Sequence, residues 1–211
     1  MSLALVAVLV SGAFSGVVAR QYARRHHPYQ IVWAIGLAMF AIAAFAGLLA
    51  RAGGATETEY RVFYLFGAIL NVAWLALGTI YLVAPRAARA SLAAVIVLSA
   101  VSAIAVFSAP VDLRAATDTG KGFAEAPFPR ILAAVGSGVG SIVLIGGALW
   151  SAWVFFRKRD NPRRALANVI IAVGVIIVAA GGTAAFTGAS GILELTNLIG
   201  IAVMFAGFLL V

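Results

Sequence analysis

The sequence predicts an all-α fold, a polytopic transmembrane bundle of seven helices, and three observations predict it. Hydrophobic residues make up 64% of the 211 and charged residues 10%, too little polar surface to cover a soluble core of this size. The apolar residues gather in seven runs, each close to the roughly 20 residues that a hydrocarbon core about 30 Å thick requires. The charges sit between the runs, and their sign alternates from one connection to the next. Mean hydropathy of +1.07 agrees. No stretch remains for a soluble domain, so 1–211 reads as a single transmembrane domain.

The runs place helices near 3–19, 31–50, 62–83, 90–109, 131–156, 165–187 and 192–211. The first has no basic residue before it and no small-residue cleavage site ahead of Arg20, so it reads as a retained helix rather than a signal peptide. The second follows Arg24-Arg25-His26-His27-Pro28, and the third follows the acidic stretch holding Glu57 and Glu59. The fourth lies between Arg89 and Pro110, and the fifth starts after Pro127-Phe128-Pro129-Arg130. The densest charge of the chain, Arg157-Lys158-Arg159-Asp160-Asn161-Pro162-Arg163-Arg164, separates the fifth from the sixth. The longest connection, 110–130, reads as flexible, with a cover over the bundle as the other possibility for so long a loop.

The connections after helices one, three and five hold ten bases and one acid, Asp160. The others hold Arg51, Arg61, Arg114, Lys121 and Arg130 among six acids. Basic loops resist translocation, which puts the N-terminus outside and the C-terminus in the cytoplasm of a bacterial inner membrane. The net charge of +8 therefore reads as topology, not as nucleic-acid binding. Cysteine is absent, which excludes disulfides, thiol catalysis and cysteine metal sites.

An internal duplication organises the chain. With Arg24-Arg25-His26-His27-Pro28 laid over Lys158-Arg159-Asp160-Asn161-Pro162, Gly12 falls on Gly146, Ile42 on Ile176 and Ala46-Gly47 on Ala180-Gly181. After a one-residue slip, Glu59 falls on Glu194. Residues 1–83 and 131–211 then form two three-helix repeats, with helix 90–109 as linker. An odd linker leaves the repeats parallel, one of the standard transporter constructions.

This 3+1+3 layout with an outside N-terminus resembles the SWEET and PQ-loop transporters of sugars and amino acids. The resemblance implies a solute site between the halves and a mid-membrane asparagine in each half's third helix, a role that Asn71 fits in the first. Separately, Tyr64-Leu65-Phe66-Gly67-Ala68, Trp74 and Gly78-Thr79-Ile80-Tyr81-Leu82 are similar to a family of uncharacterised bacterial membrane proteins, which implies no activity.

Candidate residues follow from polarity within apolar runs. An amide near mid-membrane must face protein or water. Asn71 beside Trp74 and Tyr64 therefore reads as an interhelical hydrogen bond first and as a ligand contact second. Asn168 and Asn197 are read the same way. Glu59 and Glu194, with Arg61 nearby, enter their helices from outside; they form an external mouth attracting a cation, or they complement the helix dipoles. Gly12/Gly16 and Gly136/Gly140 have the spacing that lets helices approach closely and are expected to pack inside the bundle. Trp33, Trp150, Trp153, Phe155 and Phe156 are expected as interfacial anchors.

Catalysis has little support. Gly188-Ala189-Ser190-Gly191 carries the rhomboid-protease serine string, but His26 and His27, the only histidines, belong to the opposite membrane face, so no base reaches the serine. No cofactor or metal is expected. Acids and bases inside the membrane usually mark ion coupling, and the helix interiors lack them. Two readings remain for a partner beyond the lipid bilayer: uncoupled transport or binding of a small neutral or lipidic molecule between the repeats, and an accessory subunit of a larger membrane complex.

Overall fold

A computed structural model describes residues 3–119, 121–158, 161–187 and 192–210, with no strand among them. Its helices are α1 (Leu3–Arg25), α2 (Pro28–Gly53), α3 (Glu57–Val83), α4 (Ala88–Ser108), the short α5 (Leu113–Thr119), α6 (127–158), α7 (Pro162–Thr187) and α8 (Leu193–Leu209). Six of them are long and apolar enough to cross a membrane, and α8 is a shorter apolar helix of 17 residues. That inventory is compatible with a multi-pass integral membrane protein. The serine string at 188–191 and the charged pair at 159–160 lie outside the described residues.

Several helices outrun their apolar stretches, because backbone hydrogen bonding and capping, not hydropathy, decide where a helix stops. α1 continues through Arg20–Arg25 and ends at His26, whose left-handed backbone (φ 52°) turns the chain into Pro28 at the first turn of α2. α3 begins at Glu57 rather than 62 because Thr56 caps it: the Thr56 hydroxyl accepts from the Glu59 N–H at 3.3 Å, and the Glu59 carboxylate accepts from the Thr56 N–H at 2.9 Å. This reciprocal pair satisfies two donors that would otherwise be orphaned. α6 likewise starts early, at Pro127, where a missing N–H costs nothing.

Six helices close a ring. α1 packs on α2, α2 on α3, α3 on α6, α6 on α7, α7 on α8, and α8 returns to α1. α4 stands outside it against α3 and the head of α6, with Ile104, Val97 and Ile96 largely exposed. The centre of the ring is filled from all six helices by Phe14, Leu37, Leu75, Leu144, Val175, Ile201 and Met204, each at least nine-tenths buried.

Apolar side chains lose nothing by facing lipid, so helices in a bilayer associate through close packing. Glycines provide it here. A Cβ on Gly174 would lie 2.7 Å from the Gly200 carbonyl oxygen, and one on Gly200 would lie 2.8 Å from that of Gly174. Between α2 and α3, Gly36 faces Leu75 and Gly67 faces Ala43 at contact distance. Two expectations are corrected. Gly12 and Gly16 have no atom within 4 Å of an added Cβ and lie on the outer flank of α1. Trp33 is a wedge between α2 and α3 rather than an interfacial anchor, its indole N–H donating to the Leu75 carbonyl at 3.0 Å. Trp150, Trp153 and Phe156 are exposed on α6, and Arg157 lies 4.8 Å from the Trp153 ring centre, in keeping with the anchoring role.

Candidate functional site: two facing π turns and the cover beside them

α3 and α6 each carry one wide turn in the middle of an otherwise α-helical span. In α3 it runs Tyr64–Leu70 and in α6 Ala134–Val139. The N–H of Asn71 reaches back five residues to the Phe66 carbonyl. Such π turns insert one extra residue and occur frequently at functional sites. Tyr64 and Asn71, both chosen from sequence, bracket the turn in α3.

The two turns pack on each other. The Ser137 hydroxyl donates to the Ala68 carbonyl at 2.6 Å. Gly136 presses its backbone on Ile69, where a Cβ would fall 2.3 Å from the carbonyl oxygen, and Gly140 lies against the Val72 backbone in the same way, at 3.1 Å. The Gly136/Gly140 pair therefore packs inside the bundle, as its spacing suggested.

The polar atoms of the candidate residues go to separate partners. Asn71, 2% exposed, turns its side-chain oxygen back to accept from the Val72 N–H at 2.7 Å. Trp74 looks outward from the ring, its indole N–H donating to the Ser99 hydroxyl of α4 at 3.3 Å. Thr79 and Asn168 donate to carbonyls one turn back in their own helices, Leu75 and Arg164. Asn197 is half-buried on α8, one turn from Gly200. The acids divide similarly: Glu59 serves the Thr56 cap, and Glu194 in the first turn of α8 pairs with Arg51 at the end of α2. Arg61 is nearly buried and donates to Glu57 and to the Val106 carbonyl in the last turn of α4.

Tyr64 belongs to an aromatic cluster that receives the long connection. Phe123, 1% exposed, lies 4.8 Å from the Tyr64 ring centre and 5.4 Å from that of Tyr60. The Tyr60 hydroxyl accepts from the Gly122 N–H at 3.0 Å, and Asp112 caps the start of α5 by accepting from the N–H groups of Arg114 and Ala115. The connection expected to be flexible is thus held as a cover on α3. No sequence signal singles out Phe123, since the same connection also holds Val111, Leu113 and Phe128.

Two residues went unnoticed in the sequence. Ser137 engages the π turn of α3 from α6. Ser102 is fully buried on α4 and its hydroxyl has no hydrogen-bond partner. A groove of about 270 Å³, lined by Pro127, Arg130, Ile131 and Ala134, lies along α6. No family, curated protein or solved structure was found to match the chain.

Proposed function

We propose that the chain is a non-catalytic, multi-pass accessory subunit of a larger complex in a bacterial inner membrane, with its arginine-rich end in the cytoplasm. The observation that carries this reading is the filled centre of the ring. A solute passing between the halves would have to displace Phe14, Leu37, Leu144, Ile201 and Met204, which pack there as one contiguous apolar cluster. The polar residues that would otherwise line a route, Asn71, Thr79 and Asn168, bond within their own helices. The broad apolar flanks of α1, α4 and α6 are left for lipid and partner helices.

The two-repeat construction fits the contact order of the ring. Exchanging helices one, two and three for five, six and seven turns α1–α2 into α6–α7, α2–α3 into α7–α8, and α3–α6 into α8–α1, all observed contacts. Gly47 and its counterpart Gly181 also both sit at a helix crossing, against Phe63 and Thr196.

A second reading, uncoupled transport or binding of a small neutral or lipidic molecule, is favoured by one observation, the facing π turns beside Tyr64 and Asn71. Native mass spectrometry after gentle extraction from the host membrane separates the two. The accessory reading expects other chains at fixed stoichiometry; a monomer or dimer carrying a reproducible small added mass would replace it with the second.

A further inference from the structure

The π turn of α3 lies between two unequal halves. On the Val83 side, Trp33 locks the helix to α2 through Leu75 and Gly78, and Gly36 packs on Leu75 and Asn71. On the Glu57 side, α3 holds the cover through Tyr60 and Tyr64. The turn therefore joins a segment pinned to α2 by a hydrogen-bonded indole to one that packs on α2 through Phe63 and Gly67 and also carries the cover and the end of α4.

Two serines on different helices lie near this turn. Ser137 of α6 holds the Ala68 carbonyl. Ser102 of α4 is on the helical face shared by Ser99 and Val106, which touch Trp74 and Arg61 of α3. α4 runs antiparallel to α3 and contacts its π turn. Ser102 thus faces the stretch of α3 between residues 61 and 74, where the π turn lies. Its hydroxyl is 0% exposed and idle. A buried hydroxyl without a partner is costly, and a π turn is a local departure from the i→i−4 pattern that occurs frequently at functional sites.

We propose that the α3 π turn is a two-position joint that works the cover. In the position seen, Ser137 retains the Ala68 carbonyl and Phe123 is seated between Tyr60 and Tyr64. In the second, the extra residue has moved toward Glu57 and the Ser102 hydroxyl donates to a carbonyl of α3 that the moving turn releases. Each residue that the turn passes rotates by about 100° and shifts by roughly 1.5 Å along the axis. That rotation carries Tyr64 off Phe123 and releases the cover. The joint is independent of whether the chain serves a complex or a solute.

The absence of cysteine allows clean labelling. Spin labels at Ala124→Cys on the cover and Ala52→Cys at the end of α2, both exposed positions, report the distance between them by pulsed electron resonance in proteoliposomes. Two distances are expected. Ser137→Ala removes the hold on the first position and raises the share of the second about five-fold, while Ser102→Ala lowers it by a similar factor, the effect of one ordinary hydrogen bond. Both substitutions are small and favour helix, so the labelled proteins remain comparable. A single distance in all three proteins, or a ratio that either substitution leaves unchanged, overturns the joint.

Discussion

The ring of Trp33 fills the space that a side chain at Gly78 would need: a Cβ there would lie 2.2 Å from Trp33 Cδ1. Gly78 is thus required by its neighbour, not by its own backbone. Replacing it with Ala should cost about 1–3 kcal/mol, the usual penalty for overpacking. In a Trp33→Leu background the same replacement should cost far less, because the obstacle is gone. Thermal unfolding of the four proteins in detergent measures this coupling. Equal losses in both backgrounds would show that Gly78 answers to something other than the indole.

Arg61 and Arg51 both pair with an acid, and their surroundings predict different consequences. Arg51 and Glu194 are substantially exposed, with 52% and 32% of their side-chain surfaces accessible. Exposed pairs contribute about 0–1 kcal/mol and are screened by salt. Arg61 is buried and also occupies the Val106 carbonyl, so Arg61→Gln leaves a buried acceptor poorly satisfied, at about 1–3 kcal/mol. Denaturation midpoints should therefore fall little for Arg51→Gln, and less still at high salt. For Arg61→Gln they should fall clearly at every ionic strength. A salt-sensitive loss at Arg61 would contradict its burial.

What was legible in the sequence was what depends on hydropathy. The apolar runs located every long helix, and Asn71 and Tyr64 stood out as polar groups in apolar surroundings. What depends on hydrogen-bond register was not legible. An extra residue in a helical turn leaves no trace in an apolar stretch such as Tyr64–Leu70, because any face of that stretch is acceptable to lipid or core. For the same reason the sequence could not say which glycines were buried: Gly12 and Gly136 begin the same spacing, yet only Gly136 meets a neighbour. Trp33 misled because a tryptophan near the end of a span suits both an interface and a helix crossing.

Phe123 is the residue on which the cover depends. Removing a buried Phe side chain typically costs about 3–5 kcal/mol, here concentrated on a local segment rather than on the whole fold. Phe123→Ala should release the cover and expose the Lys121–Gly122 bond, now held by Lys121 N–H to the Ala115 carbonyl and Gly122 N–H to Tyr60. Limited trypsinolysis should cut there at least roughly ten-fold faster than in the wild type, since cleavage follows the population of the open form. Equal cleavage rates in the two proteins would mean that the connection is flexible after all.

Glycine pairs with the same chemistry should separate by location. Gly174 and Gly200 place each other's carbonyl oxygens where a Cβ would go, so neither side can yield without moving a helix axis. Gly200→Ala should therefore lower stability by about 1–3 kcal/mol or more. Gly12→Ala and Gly16→Ala meet nothing within 4 Å, and each should instead gain up to about 1 kcal/mol, the helix-propensity difference between the residues. Unfolding midpoints of the three single variants in one detergent provide the comparison. Loss of stability at Gly12 or Gly16 comparable to that at Gly200 would place the α1 flank in a packed interface and remove it from the open surface described above.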